Sequence, residues 1–192
     1  MFEWNGMDVK QRKKLLWDER VEDTRYTHNN CGFPNGTETK LAWWQGPGNA
    51  AVQITGFKAM NESNVVEYPI LLTDPLLIDM HLINNEATEW NGQSFTMSMK
   101  LWQYGGAAGC SWSEVPTFGI LDNQQACGVH IACPLKRGEH DMDLYMPFYS
   151  TDPVISVLED NKPYQIAFIF SDKITGHSFS AYVQARLRTQ NN

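Results

Sequence analysis

The chain has 192 residues, a formal net charge of −7, 42% hydrophobic and 12% aromatic residues, and four cysteines. That is enough apolar chain for one domain with a sizeable core, or for one domain with an extension. The acidic balance excludes a general nucleic-acid binder, because no basic field large enough to displace phosphate counterions is present.

The opening MFEWNGMDVK has neither the apolar stretch nor the small-residue cleavage site of a signal peptide, and it is too polar to span a membrane. Four cysteines, with Asn35-Gly36-Thr37 and Asn61-Glu62-Ser63 as glycosylation sequons at Asn35 and Asn61, point to an oxidising compartment. The expectation is a secreted or lysosomal chain whose targeting segment has been removed.

From Asp8 to Asp23 the sequence is polar and helix-permissive, without a strong apolar face. Lys10, Arg12, Lys13 and Lys14 would suit anionic lipid headgroups. Their balance by Asp18, Glu19, Glu22 and Asp23 favours a solvated face. From Thr27 to Asn49 glycine, proline, asparagine and threonine mark loop, interrupted by Leu41 to Trp44. Residues 1–49 therefore read as an N-terminal arm and loop, and 50–192 as the main domain.

Regular alternation begins at Ala50. Val52 and Ile54 share a face, and Val66, Tyr68, Ile70 and Leu72 resume after MNESN; Leu76, Ile78, Met80 and Leu82 follow Thr73-Asp74-Pro75. Pro69 and Pro75 suggest edge or bulged strands. Phe95, Met97, Met99 and Leu101 form a clean amphipathic strand. Beyond YGGAAG lies Cys127 to Phe148, CGVHIACPLKRGEHDMDLYMPF, in which the five-residue gap favours a disulfide over a metal pair. Pro134 and Gly138 turn the chain into Met142, Leu144, Met146 and Phe148. Val154 to Leu158, then Tyr164 to Phe170, then Phe179 to Leu187 complete the pattern. Many short strands between turn residues predict an all-β antiparallel sandwich or barrel, with no convincing helix outside the arm.

Two explanations compete for the inward stripes. They interdigitate and close a core, or the sheets stand apart around an apolar ligand. Met80, Met97, Met99, Met142 and Met146 favour the second, because methionine suits adaptable apolar surfaces. Trp102, Tyr104, Trp112, Phe148 and Tyr149 fall at strand ends or loops, where a cavity rim and a buried indole read alike. His130 beside Cys127 and Cys133 could serve a nucleophile or metal site, and Glu139, His140, Asp141 and Asp143 an oxygen-ligand site. The alternation turns those acids outward and the cysteines are better read as a bridge, so neither metal nor catalysis is expected.

From Val66 onward the order resembles the ML lipid-recognition family, particularly its ganglioside-activator and sterol-carrier types. The residues that carry the likeness are YPILLTDPLLIDMHL, the GCSW at Cys110, the run CGVHIACPLKRG, and YQIAFIFSDKITGHSFSAYVQARL as a closing hairpin; Asn30-Cys31-Gly32 resembles the family's first-cysteine segment. The closing strand departs from the family in having no cysteine to meet Cys31, and the segment between Cys31 and Val66 is longer than the family's.

With that departure, elimination pairs Cys31 with Cys110 and Cys127 with Cys133. The resemblance implies an immunoglobulin-like β-sandwich with an apolar cavity between its sheets, and a non-catalytic lipid-binding or transfer protein without a cofactor. Its cargo would be a phospholipid, glycolipid, sterol or fatty acid, moved between a membrane surface and an acceptor or glycosidase. On that reading Met97, Met99, Leu101, Leu144 and Met146 line the cavity with Phe148, Ile166, Phe168 and Phe170. Trp102, Tyr104, Trp112 and Tyr149 lie at its rim. The alternative is a secreted interaction module that recognises a glycan or protein through exposed tryptophans.

Overall fold

A computed structural model describes residues 31–48, 51–106, 109–148 and 152–190. The N-terminal arm, with its Lys10 to Lys14 basic run, and Tyr149 lie outside the described residues. The compact unit runs Cys31–Asn192, so it takes in the segment after Cys31 that the sequence assigned to the arm and loop. That segment is held by the Cys31–Cys110 disulfide and by Ala42–Gln45 (β1), which pairs with the last strand, among other contacts.

The remaining strands are Val52–Met60 (β2), Ile70–Leu71 (β3), Leu76–Asn84 (β4), Phe95–Tyr104 (β5) and Trp112–Glu114 (β6). Gln124–Gln125 (β7), Gly138–Met146 (β8), Lys162–Asp172 (β9) and His177–Arg188 (β10) follow, with a helical turn at Asp152–Ile155 (α1) and 3-10 turns at Pro34–Gly36 and Gly92–Ser94. They form an all-β sandwich. The larger sheet has the order β1-β10-β9-β5-β6, with β3 beside β10 and β7 beside β5; the smaller is β2-β4-β8. Among the described residues the strands pair antiparallel except for the short β3–β10 contact.

Alternation turns one face of each sheet inward. On β4 Leu76, Ile78, Met80 and Leu82 are buried while the residues between them are half-buried. On β9 and β10, Phe168 faces Ala181 and Phe170 faces Phe179 in register. The sheets meet at Phe57 of β2, whose ring lies 6.4 Å from Phe168 of β9 and 6.1 Å from Trp43 of β1. A bulge between Ile54 and Gly56 shifts the phase of β2 so that both Ile54 and Phe57 point inward. Gly56 suits it, since a side-chain carbon there would come within 3.1 Å of His81 Cβ. Gln45 closes part of the open edge of β2: its amide donates to the Val52 carbonyl at 2.7 Å and accepts from the Ile54 N–H at 2.9 Å.

Two expected strands are not strands. Of Val66 to Leu72 only Ile70 and Leu71 form a strand, while Val66, 63% exposed, makes a single bridge to Met60. Pro69 cannot donate to a ladder, and the Tyr68 hydroxyl is engaged elsewhere, donating to the Thr37 carbonyl and accepting from the Arg186 N–H. Val154 to Leu158 begins in α1 and continues as turns, with Val154 and Leu158 buried three and more residues apart, as a helical turn places them.

Candidate functional site

The two ends of the sandwich are closed differently. At one end the fully buried Trp90 packs on Phe95 at 5.4 Å and on Phe179 at 5.5 Å, and its backbone pairs with Leu135. At the other end an apolar crevice of about 20 Å³ lies under α1. Four residues expected to line a lipid cavity meet there: Met99, Leu101, Phe148 and Ile166. Leu72, Leu121, Val154, Ile155, Leu158 and Leu187 complete the wall.

The other expected lining residues, Met97, Leu144, Met146, Phe168 and Phe170, are buried in the common core. They do not line the crevice under α1. The space under α1 holds about one water-sized group as it stands. Bulky rings from β9 and β10 fill the seam against the aliphatic and methionine side chains of β4 and β8.

The segment over the crevice is anchored from below. The Glu159 N–H donates to the Tyr164 hydroxyl at 2.7 Å, and that hydroxyl lies 3.1 Å from both Gln103 Oε1 and the Glu159 carbonyl. Burial, reinforced by the neighbouring acids Glu159 and Asp160, drives the Tyr164 phenol above its ordinary range. It therefore stays a neutral hydrogen-bonding post.

Of the expected rim residues, Tyr104 and Trp112 are cross-strand partners at the crevice end, with rings 5.1 Å apart. Trp102 sits elsewhere. Its neighbour Leu101 points into the crevice, so Trp102 points to the outer face of the larger sheet, where its ring lies 6.3 Å from that of Tyr182 at 24°. Tyr182 in turn stacks on Trp44 at 5.5 Å and 16°. Alternation already turned Tyr182 outward; Trp44 and the reach of Trp102 over β9 had no local signal.

The cysteine stretch is a framework. Cys127 is bonded to Cys133 and Cys31 to Cys110. Buried His130 has Nδ1 3.0 Å from the Tyr145 carbonyl and Nε2 2.7 Å from Gln124 Oε1, which ties the cysteine loop to β8 and β7. Glu139 and Asp141 point outward and grip His81 from both sides, at 2.9 and 2.6 Å. His140 Nδ1 lies 3.2 Å from the Gly138 carbonyl, and Asp143 is the register partner of Asp79. Among the described residues no three His, Cys, Asp or Glu side chains converge as metal ligands. Of the sequons, Asn35 donates to Gln184 at 2.5 Å with Thr37 buried beneath it, and Asn61 accepts the Ser63 and Val65 N–H groups in a turn.

Fold and cross-links define a disulfide-bridged all-β sandwich, and no helix among the described residues is long and apolar enough to cross a membrane. No family model matches the chain, and a search of curated proteins finds no match. Among solved structures it is similar to the C-terminal domain of wzt, with a TM-score of 0.37 and 9% identity over 86% of this chain and 84% of that one. A likeness at that level carries no argument about function.

Proposed function

We propose that the sandwich binds a lipid non-catalytically, taking the hydrocarbon tail into the seam beneath α1 and leaving the head outside. The observation that carries this reading is the apolar crevice itself, where residues of β5, β9 and α1 meet without a polar group in the wall. Its size sets the mechanism. A tail enters by lifting α1 and repacking Met99 and Leu101, because a space of about 20 Å³ is too small to receive it as it stands.

Each methylene transferred from water contributes about 0.8 kcal/mol, offset by the ordering of the chain and of the displaced segment. The protein would then move its cargo between a membrane surface and an acceptor, a glycosidase among the candidates, in a secreted or lysosomal compartment that keeps both disulfides oxidised. The likeness to the ML family in the cysteine and closing-hairpin segments supports the same reading.

The test is titration of the oxidised protein with a fluorescent fatty acid, beside mass spectrometry of lipids extracted from the purified chain. Saturable uptake that is weakened by Ile155→Lys at the crevice mouth is expected. No uptake and no extractable lipid would end the proposal.

A further inference from the structure

The outer face of the larger sheet carries three aromatic rings in a row that the core does not use. Trp44 of β1 and Tyr182 of β10 are register partners, so their side chains rise from the same face of neighbouring strands. On the far side of Tyr182 the partner is Ala167 of β9. Its small side chain lets Trp102 of β5 lean across a whole strand to bring its ring within 6.3 Å of Tyr182. All three planes lie within 24° of their neighbours. Trp44 stays 38% exposed and Trp102 and Tyr182 are half-exposed.

The row is built rather than incidental. A side-chain carbon on Gly46 would fall 2.3 Å from Tyr182 Cε2, so the ring rests against bare backbone at that point. Two residues along the same face runs a rail of amides: Asn35 donates to Gln184 at 2.5 Å, and Gln184 donates to Gln165 at 2.8 Å. Gln184 is buried, which leaves Asn35 and Gln165 as the outer groups. Lys100 and Glu114, one of each sign, flank Trp102.

We infer that this face binds a neutral oligosaccharide, its sugar rings laid over Trp44, Tyr182 and Trp102 and its hydroxyls bonded to the Asn35 and Gln165 amides. A pyranose has an apolar C–H face that suits the negative face of an aromatic ring, and a hydroxyl rim that both donates and accepts hydrogen bonds. Parallel rings beside a rail of amides match both halves of that ligand. A lipid tail would leave the amides without partners at a cost; beside the rings Lys100 is offset by Glu114, and Arg186, two residues beyond Gln184, is turned over the Phe33 ring at 5.7 Å, so the row itself offers an acidic glycan no net positive charge. The rings are held by strand register, so little ordering is lost on binding.

The experiment titrates the oxidised protein with cellohexaose, chitohexaose and laminarihexaose, followed by tryptophan fluorescence and calorimetry. Phosphatidylcholine vesicles form a separate arm. Saturable binding of at least one hexasaccharide is expected, weakened about fivefold to tenfold by Trp44→Ala or Trp102→Ala and retained by Tyr182→Phe. Unchanged thermal unfolding of these variants separates lost contact from lost fold, and Ile155→Lys at the crevice leaves sugar binding intact. The inference fails if none of the three sugars binds at millimolar concentration, if binding survives the Trp44→Ala/Trp102→Ala pair, or if the row responds to vesicles alone.

Discussion

His81 stands on the outer face of the smaller sheet with a carboxylate on each ring nitrogen, Asp141 on one and Glu139 on the other. Those two hydrogen bonds, Asp141 first, raise its pKa above the ordinary histidine value. A raised folded-state value means that the imidazolium stabilises the fold. The contribution is complete below the unfolded value of about 6.5 and is lost as pH rises through the folded one. An NMR titration is expected to place the His81 midpoint above that of a free histidine, with Asp141→Asn bringing it down. The stability gap between the protein and its His81→Gln variant is expected to close as pH rises and to shrink in high salt, since the cluster is exposed. Asp172 behaves with the opposite sign. Burial works against its charge, but hydrogen bonds from Ser94 and Thr175 prevail and lower its pKa, so what it contributes is lost on acidification.

The elements owe their positions to cross-links and to side chains that stand in for strands. Cys31–Cys110 closes a loop with a sequence separation of 79, and Cys127–Cys133 one of 6. By loop entropy alone the first is worth about 4.5 kcal/mol and the second about 2 kcal/mol. Urea unfolding of the two double-serine variants is expected to show the larger loss for Cys31/Cys110; equal losses would mean that the short loop matters through its packing beside His130 instead. The strands β4, β5, β8, β9 and β10 are legible because a period of two fixes which residues face inward. The bulge at Gly56 and the single turn of α1 are not, because each is one change of phase inside a short run. The segment Val66 to Leu72 misleads for a related reason: its apolar residues alternate, but Pro69 and the engaged Tyr68 hydroxyl interrupt the pairing between the Val66 bridge and Ile70–Leu71.

At the scale of the whole molecule, the proposed lipid uptake would couple binding to the opening of α1, and that coupling has a measurable form. Across saturated fatty acids of increasing length, affinity is expected to rise about fourfold per methylene until the opened seam is full, then to level off. A flat dependence from the shortest acids onward would mean that nothing apolar is being buried. Binding is also expected to carry a negative heat-capacity change, which calorimetry at several temperatures reads directly.

The inward residues, the outward acids of β8 and the turn positions were determined by the sequence itself, because side-chain period and proline or glycine chemistry are local. How far apart the two sheets stand was a tertiary decision, made by whether Phe57, Phe168, Phe170 and Phe179 fill the seam between them. So was the aromatic row, which unites residues of β1, β10 and β5 across the gap left by Ala167. No local pattern reports the distance between strands that are far apart in the chain, and that distance separates a hollow from a core and scattered tryptophans from a surface.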